Sequence, residues 1–411
     1  MFYSLCKQCN LYDLNISRRS GVLFILKNIF ILFLFCTFVL FVGCTPDLND
    51  SAELISDPQD VPLSDYSEVD RDEPFVECSS CDPDFDAAFS TFPADTVMFT
   101  ASGLQITWAE LFVFLHSAVS DLSDQSALCI NRNDEVDANL TLSDSILYNA
   151  TEEVLSFTVF EYGSNLSGIF LDETELTEFY DYLNNLFDMY GGKNNFEKVI
   201  KENSGFFDPA VFEHFLKLEF TVEKIMYDFY GDNASLFPDD RVAEFAARED
   251  YMAAKHILVM HDSDDNDYAE NKIRYFYNML SEYTGDDFQS YFDSLILEHS
   301  DDPGSIISFP HGYLFQPPDM VTAFSEASGL LEIGQISDII ETLHGYHIIL
   351  RLPIDFDTVP ITLASSGISR TLRQLAALDD FDSVLSGWRD SLDLNFTSEY
   401  YSIDIASIFK H

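Results

Sequence analysis

The chain has 411 residues, enough for two or three domains that each bury a hydrophobic core. Acidic residues outnumber basic ones by 71 to 21, which gives a formal net charge of −50. Because phosphate groups bind to lysine and arginine, such a chain repels nucleic acids and anionic lipid headgroups. The composition therefore argues against nucleic acid as a partner.

The N-terminal segment has the pattern of an export signal. Basic residues up to Lys27 precede an apolar run over 29–42, which is shorter than a typical membrane span. The run is followed by Gly43 and Cys44, which resemble a bacterial lipobox. We therefore predict a lipoprotein signal peptide over 1–43, lipidation of Cys44, and a location outside the cytoplasm with a lipid anchor in the cell membrane. An uncleaved membrane anchor is the alternative.

Residues 44–93 are rich in Asp, Glu, Ser and Pro and lack apolar periodicity. Self-repulsion of their charges predicts an extended, disordered acidic tether. Cys78 and Cys81 have the spacing of a redox motif but not the strand-to-helix setting that such a motif requires. A zinc site would need two further ligands nearby, and we expect no metal there. The alternatives for Cys78 and Cys81 are a local disulfide and two free thiols without a function.

Between 94 and 250 the pattern is mostly helical and rich in aromatic residues. The segment 97–100 is typical of a strand, and Thr107 with Glu110 three positions later has the pattern of a helix N-cap and its capping-box partner. Further helices are predicted over 150–163, 172–190, 194–203, 208–230 and 238–249. No residue in this region has a pattern typical of catalysis.

Two short apolar strands that each carry one histidine enclose the next region, 251–353. The first is predicted over 251–260 with His256 at its middle, and the second over 346–352 with His347 near its start. Between them the spacing of apolar residues predicts three helices and one further strand, over 269–283, 287–299, 321–328 and 336–342.

This ordered set, with Ser300–Ser305, Met320–Phe324 and Leu331–Ser337 between the histidine strands, resembles the parvulin (PpiC-type) peptidyl-prolyl cis-trans isomerases. The resemblance implies an α+β fold in which a parvulin domain over 251–353 has an antiparallel four-stranded sheet with flanking helices. It implies that the protein rotates Xaa-Pro bonds of other polypeptides. That reaction breaks no covalent bond, so we expect no cofactor and no metal.

The same resemblance assigns roles to particular residues. His256 and His347 match the paired histidines of the pocket floor, which we expect to be stacked, and Thr342 matches a hydroxyl that hydrogen-bonds one of them. Asp302 occupies the position at which relatives carry Cys or Asp facing the substrate carbonyl. The walls that bind the proline ring match Phe315, Met320 and Phe324. The last two are four positions apart, which would place them on one face of a helix.

Two loops depart from the family pattern. Many relatives carry a glycine-rich run where this chain has residues 309–314, which leaves a second interpretation open: a holdase chaperone with a catalytically degenerate parvulin domain. The loop 260–267 is acidic where phosphate-directed parvulins are basic, so a phosphorylated target would be repelled. That loop lacks the glycine and glutamate of a calcium-binding loop, so we expect its acidic side chains to be solvated by water.

A mostly helical region before a parvulin unit is similar to foldases of the PrsA and SurA type. The resemblance implies that 94–250 is a chaperone domain and that 354–411 returns to complete it, with a strand over 400–409 that pairs near 97–100. A plain helical spacer is the alternative. We therefore expect a foldase that binds unfolded or partly folded exported polypeptides with Xaa-Pro bonds. A solute-binding lipoprotein is disfavoured, since the chain lacks a repeated βαβ pattern.

Overall fold

The structure, a computed structural model, describes residues 83–124, 135–137, 140–261, 266–305 and 311–409. The fold is α+β. Contacts divide the chain into two compact units: the first comprises residues up to Met226 and from Leu385 onward, and the second is Tyr227–Val384. The domain boundaries expected at 250/251 and 353/354 stay a prediction. Within the described ranges, no helix combines the length and apolarity needed to cross a membrane.

The first unit combines a small antiparallel sheet with helices. Its strands are β1 (Val97–Ala101), β2 (Leu104–Thr107) and β9 (Leu394–Phe396), with β1 in the middle, and a separate hairpin of β3 (Glu135–Asp137) and β4 (Leu140–Thr141). Its helices are α1 (Phe85–Phe89), α2 (Trp108–Asp124), α3 (Leu142–Ser167), α4 (Glu173–Met189), α5 (Lys193–Ser204), most of α6 (Pro209–Tyr230), the end of α12 (Leu372–Asp390), α13 (Ser398–Tyr401) and α14 (Ile405–Ile408).

The start of α2 has the predicted capping box. The backbone N–H of Thr107 donates to Glu110 Oε2 over 2.7 Å, and the backbone N–H of Glu110 donates to Thr107 Oγ1 over 3.4 Å. These bonds satisfy donors that the first helical turn leaves unpaired. The helix then carries its apolar face into the core, where Trp108 and Phe112 are fully buried.

Two segments of the first unit differ from their predictions. Residues 400–409, predicted as a strand, contain the end of α13 and all of α14, and the strand of the C-terminal segment that pairs with β1 is β9, with Phe396 opposite Phe99. Three residues are too short an alternation to identify a strand from sequence. Residues 85–89, which the predicted tether includes, form α1, and its Ala88 is fully buried.

The second unit contains a four-stranded antiparallel sheet in the order β6–β5–β8–β7. Its strands are β5 (Met252–Met260), β6 (Tyr313–Phe315), β7 (Ile340–Thr342) and β8 (Gly345–Leu352). Its helices are α7 (Asp239–Arg248), α8 (Asn266–Ser281), α9 (Phe288–His299), α10 (Thr322–Leu330), α11 (Ile361–Ser365), the first part of α12, and two 3-10 turns, Asp232–Ala234 and Pro317–Asp319.

Alternation along β5 divides the apolar interior of the second unit into two clusters. Ile257 and Val259 pack with Phe276 of α8 and Phe292 of α9. Ala254 packs on the other face with residues of β6, β8 and α10. Since successive side chains of a strand point to opposite faces, the even-numbered residues of β5 share the face that carries α10.

Candidate active site

The two predicted histidines lie on adjacent strands and share one face of the sheet. β5 and β8 pair with His256 opposite Ile349 and Leu258 opposite His347. Residues opposite each other on paired strands face the same side, as does every second residue along one strand. His256 and His347 are therefore diagonal neighbours on the face that carries α10, and both are buried.

The imidazole rings of these histidines meet edge to face. Their centroids are 5.1 Å apart and their planes make an angle of 83°, so the expected stacked arrangement is wrong. The ring of Phe324 lies 5.1 Å from that of His256 and 5.7 Å from that of His347. Edge-to-face contact brings the positive edge of one ring to the negative face of another, which aromatic pairs prefer to direct stacking.

Asp302 lies beside His256 and accepts several hydrogen bonds. Its Oδ2 atom lies 2.9 Å from His256 Nε2 and accepts from the Tyr313 hydroxyl over 2.6 Å. The same oxygen accepts from Ser305 Oγ over 2.5 Å and from the backbone N–H of Ser305 over 3.1 Å. Oδ1 accepts from the backbone N–H of Gly304 over 3.0 Å. An ionised carboxylate only accepts, so Nε2 of His256 carries the hydrogen in their shared bond.

These bonds decide the charge of Asp302. Burial would raise the pKa of its carboxyl, but the hydrogen bonds from His256, Ser305 and Tyr313 outweigh burial and hold that pKa well below its usual range. For Tyr313, burial and the bond to Asp302 raise the pKa of the hydroxyl well above its ordinary value. Near neutral pH, Asp302 is therefore an anion and Tyr313 a neutral donor.

His347 is held by Thr342, as the sequence predicts for one histidine of the pair. Thr342 Oγ1 lies 2.8 Å from His347 Nε2 and accepts from the backbone N–H of His344 over 3.1 Å. Burial, followed by the nearby His256 and His344, lowers the pKa of His347 to about 3. The ring is thus neutral near neutral pH. Among the described residues, neither His256 nor His347 has a hydrogen-bond partner for Nδ1.

The three predicted pocket walls belong to one apolar cluster. Phe315 and Phe324 are 0% and 2% exposed and their ring centroids are 5.8 Å apart, whereas Met320 is only partly buried. Met320 does not share a helical face with Phe324, because its backbone is extended (φ −121°, ψ 161°) and α10 begins at Thr322. Met320 is the C-cap of the 3-10 turn Pro317–Asp319, and α10 begins two residues later.

Two residues of this site were not singled out by the sequence: Tyr313 and Ser305. Tyr313 precedes Phe315 by two positions in β6, so the two share a face, and that spacing is a usable signal. Ser305 follows Asp302 by three positions, which is the spacing at which a carboxylate reaches a backbone N–H in a cap or turn.

The remaining sequence predictions concern three cysteines, the acidic loop and metal binding. Cys44, Cys78, Cys81 and the acidic loop positions 262–265 lie outside the described residues. In the part of the chain that the structure does describe, no group of three or more His, Cys, Asp or Glu side chains is arranged to hold a metal ion.

Several solved structures are similar to this chain at low identity. PrsA from Bacillus cereus is 22% identical, with 63% of this chain and 90% of that chain covered and a TM-score of 0.28. The solution structure of TbPIN1 is 22% identical, with 25% and 98% covered and a TM-score of 0.21. A chain from the study of the SurA-like chaperones PEB4 and Cj1289 of Campylobacter jejuni is 18% identical, with 56% and 89% covered and a TM-score of 0.21.

Sequence comparison gives a narrower and stronger match. A foldase protein PrsA from Geobacillus kaustophilus (strain HTA426) is 43% identical over 58 residues, which is 14% of this chain and 21% of that relative. The chain thus matches about a fifth of the length of this curated relative. Residues 256–352, which include both site histidines, match the family model "Rotamase", the PPIC-type PPIASE domain. This stretch of the chain is therefore a PpiC-type domain.

Proposed function

We propose that the protein is a peptidyl-prolyl cis-trans isomerase and a foldase for exported polypeptides. The observation that carries this proposal is the contact of two buried histidines, His256 and His347, with each other and with the apolar ring of Phe324, beside an anionic Asp302 that hydrogen-bonds His256. This arrangement combines an apolar surface for a proline ring with a fixed charge beside it.

The reaction is a rotation, so the site needs to alter only the relative energies of a planar and a twisted amide. Amide resonance sets a barrier of roughly 18–20 kcal/mol, and unaided rotation of an Xaa-Pro bond takes tens to hundreds of seconds. In the planar amide the carbonyl oxygen carries partial negative charge, and the twisted amide loses much of it. An apolar surrounding and a negative charge near that oxygen both disfavour the planar form, and so lower the barrier.

The predicted site residues take the following roles in this proposal. Asp302 supplies the negative charge that faces the substrate carbonyl. His256 and His347 orient the substrate and set the polarity of the pocket floor; neither transfers a proton. Their rings are fixed because Asp302 holds one and Thr342 holds the other. The proline ring binds against three apolar side chains: Phe315, Met320 and Phe324.

Entry of a proline ring requires a side chain to move. Phe315 and Phe324 are almost fully buried, so a ring reaches them only when a neighbour is displaced. Met320 packs on the same cluster and is partly exposed. Its unbranched side chain changes rotamer at little cost. We assign Met320 as the wall that moves.

A protease-coupled assay on short Xaa-Pro peptides tests the assignment. We expect His256→Gln and Met320→Ala to lower kcat/KM at least about tenfold, which corresponds to ~1.4 kcal/mol, without loss of the circular dichroism signal. The matched control is His299→Gln, because His299 stacks on Phe276 of α8, on the opposite face of the sheet, at a centroid distance of 4.8 Å. Wild-type rates in both pocket variants would refute the assignment.

We also propose that the protein is exported and lipid-anchored through Cys44, with the acidic tether between the membrane and the folded part. The apolar run over 29–42 followed by Gly43 supports this proposal. Incorporation of a labelled fatty acid in the producing cell is the test. The wild type should carry the label and Cys44→Ser should not; a labelled Cys44→Ser protein would contradict the anchor.

The clients we propose are unfolded or partly folded polypeptides, and we assign their holding to the first unit. This assignment is supported by the match to a relative that is a foldase, PrsA, and by the pairing of β9, from the C-terminal segment, with β1. We expect His256→Gln, in which isomerase activity is lowered, still to suppress aggregation of a model client as well as the wild type does. Loss of both activities in that variant would argue against separate roles.

A further inference from the structure

Tyr313 is, with His256, one of two side chains that reach Asp302 from outside its own loop. The carboxylate accepts from the neighbouring Gly304 and Ser305, which any similar turn could supply, and from His256. The Tyr313 hydroxyl comes instead from β6, eleven positions along the chain, and donates over 2.6 Å. A hydrogen bond to an ionised carboxylate is shorter and stronger than one between neutral groups.

The surrounding backbone holds the Tyr313 side chain in this position. Tyr313 is opposite Ala254 in the pairing of β6 with β5, two positions before His256, and its ring lies at 25° to the His256 ring with centroids 5.7 Å apart. A Cβ atom at Gly304 would lie 2.3 Å from the Tyr313 hydroxyl oxygen. The glycine at position 304 thus leaves the space into which the hydroxyl reaches.

We propose that Tyr313 is a positioning residue of the isomerase site, whose hydroxyl keeps Asp302 ionised and directed at Nε2 of His256. The inference rests on the proposed function, in which Asp302 faces the substrate carbonyl. Protonation of Asp302 has two consequences. It removes the negative charge that disfavours the planar amide, and it adds a hydrogen that competes with the one on Nε2 of His256, which frees that ring to turn.

Few other groups set the charge of Asp302. The titratable groups around it are His256 on β5, Tyr313 on β6 and His347 on β8. The adjacent Asp301 pairs with Lys272 of α8, with Oδ1 to Nζ at 3.7 Å, so this lysine is engaged by another carboxylate. Since burial favours the protonated acid, the ionised state depends on the donated hydrogen bonds.

The experiment compares Tyr313→Phe, and the double variant Tyr313→Phe/Ser305→Ala, with a matched control. The control is Tyr277→Phe, because the Tyr277 hydroxyl also donates to a carboxylate, that of Asp338, over 3.1 Å. Tyr277 packs against the cluster formed with α8 and α9, on the other face of the sheet. Two quantities are measured on the full chain, from pH 8 down to the lowest pH at which circular dichroism shows it folded: kcat/KM on an Xaa-Pro peptide, and the titration midpoint of the Asp302 carboxyl carbon by NMR, assigned with Asp302→Asn.

We expect the acid limb of kcat/KM and the Asp302 midpoint to move up together by about one pH unit in Tyr313→Phe and further in the double variant. Tyr277→Phe should match the wild type in both. The inference is overturned if the Asp302 midpoint is the same in Tyr313→Phe and Tyr277→Phe. This holds even if Tyr313→Phe loses activity at every pH, because a loss that does not depend on pH indicates a purely structural role. If the wild type proves inactive on peptides, the proposed function fails, while the NMR midpoint still decides whether Tyr313 controls the ionisation of Asp302.

Discussion

Single side chains in the second unit keep charge states that depend on a specific partner. Asp302 is half-buried yet ionised because four of its donors point at one oxygen. His347 is neutral because burial, followed by the nearby His256 and His344, lowers the pKa of its imidazole, and its Nε2 bonds to the neutral Thr342 hydroxyl. The polarity of the site thus follows from which buried group has enough hydrogen bonds to stay charged.

A second buried charge, on the opposite face of the sheet, allows a prediction about stability. Lys255 is 3% exposed and its Nζ lies 2.5 Å from Asp293 Oδ1 of α9, whose side chain is 39% exposed. Asp293→Ala leaves a buried ammonium without its partner and should cost on the order of 3 kcal/mol of unfolding free energy. Lys255→Met leaves a carboxylate that water can solvate, and should cost about 1 kcal/mol or less. Urea unfolding measures both.

The double variant Lys255→Met/Asp293→Ala is the control for that asymmetry. It removes both charges, so it should be more stable than Asp293→Ala alone. Equal unfolding free energies for the two single variants would show that burial of the lysine does not determine the cost.

His116 in the first unit predicts a pH dependence of stability. Burial lowers its pKa from 6.5 to about 4, so between those values the unfolded chain binds a proton that the native state does not. Stability is therefore lost as the pH falls from 6.5 towards 4, by on the order of 3 kcal/mol. His116→Leu should flatten this part of the curve, as followed by thermal unfolding at stepped pH.

His214, in the same unit, serves as a comparison for His116, because its pKa is raised whereas that of His116 is lowered. Its hydrogen bond to Glu161 raises the pKa of the imidazole despite burial. It therefore contributes stability below pH 6.5 that is lost as the pH rises through its folded pKa. A slope that becomes steeper towards acid in His116→Leu would contradict the assignment for His116.

At the scale of elements, the β7–β8 hairpin positions both Thr342 and His347. Gly345 begins β8 with φ +147°, and a Cβ atom there would lie 2.1 Å from the carbonyl oxygen of Val259 and 2.7 Å from the Cα atom of Met260. Gly345→Ala must therefore push β8 away from β5, and should cost roughly 2–4 kcal/mol of stability and most of the isomerase activity.

Gly334→Ala separates that close approach from backbone strain. Gly334 has φ +85°, but nothing lies within 4 Å of its hypothetical Cβ atom. Its substitution should cost roughly 1–2 kcal/mol, from the left-handed conformation alone. Equal losses of stability and activity in the two variants, measured by denaturation and the peptide assay, would exclude the close approach at Gly345 as the cause.

Some of these elements were recognisable from sequence, and others were not. β5 and β8 are long apolar strands, and α2 begins with a capping box, so each is recognisable from local pattern. β9 has three residues, and only its pairing with β1 makes it a strand. The contact of Phe396 with Phe99, at 5.1 Å between ring centroids, joins positions almost three hundred residues apart in the chain.

At the scale of the whole molecule, net charge predicts which polypeptides associate with the protein fastest. With a formal net charge of −50, the protein attracts basic polypeptides and repels acidic ones over a distance that salt shortens to about 8 Å at physiological ionic strength. We expect the association rate with an unfolded lysine-rich polypeptide to fall steeply between 0.05 and about 0.5 M NaCl. The same polypeptide with succinylated lysines should show the reverse, weaker trend. A salt-independent rate for both, measured by stopped-flow fluorescence, would exclude steering by charge.

The sequence by itself determined the two histidine strands, because alternation along a strand depends on neighbours a few positions away. Through its resemblance to the parvulins it also gave the α+β class and a proposal of seven residues for the site, without Tyr313 and Ser305. Only the tertiary structure decided the edge-to-face histidine rings, the extended backbone of Met320 and the bond from Tyr313 to Asp302. These depend on how strands and loops distant in the chain pack against one another, and no local pattern of residues encodes a distance between them.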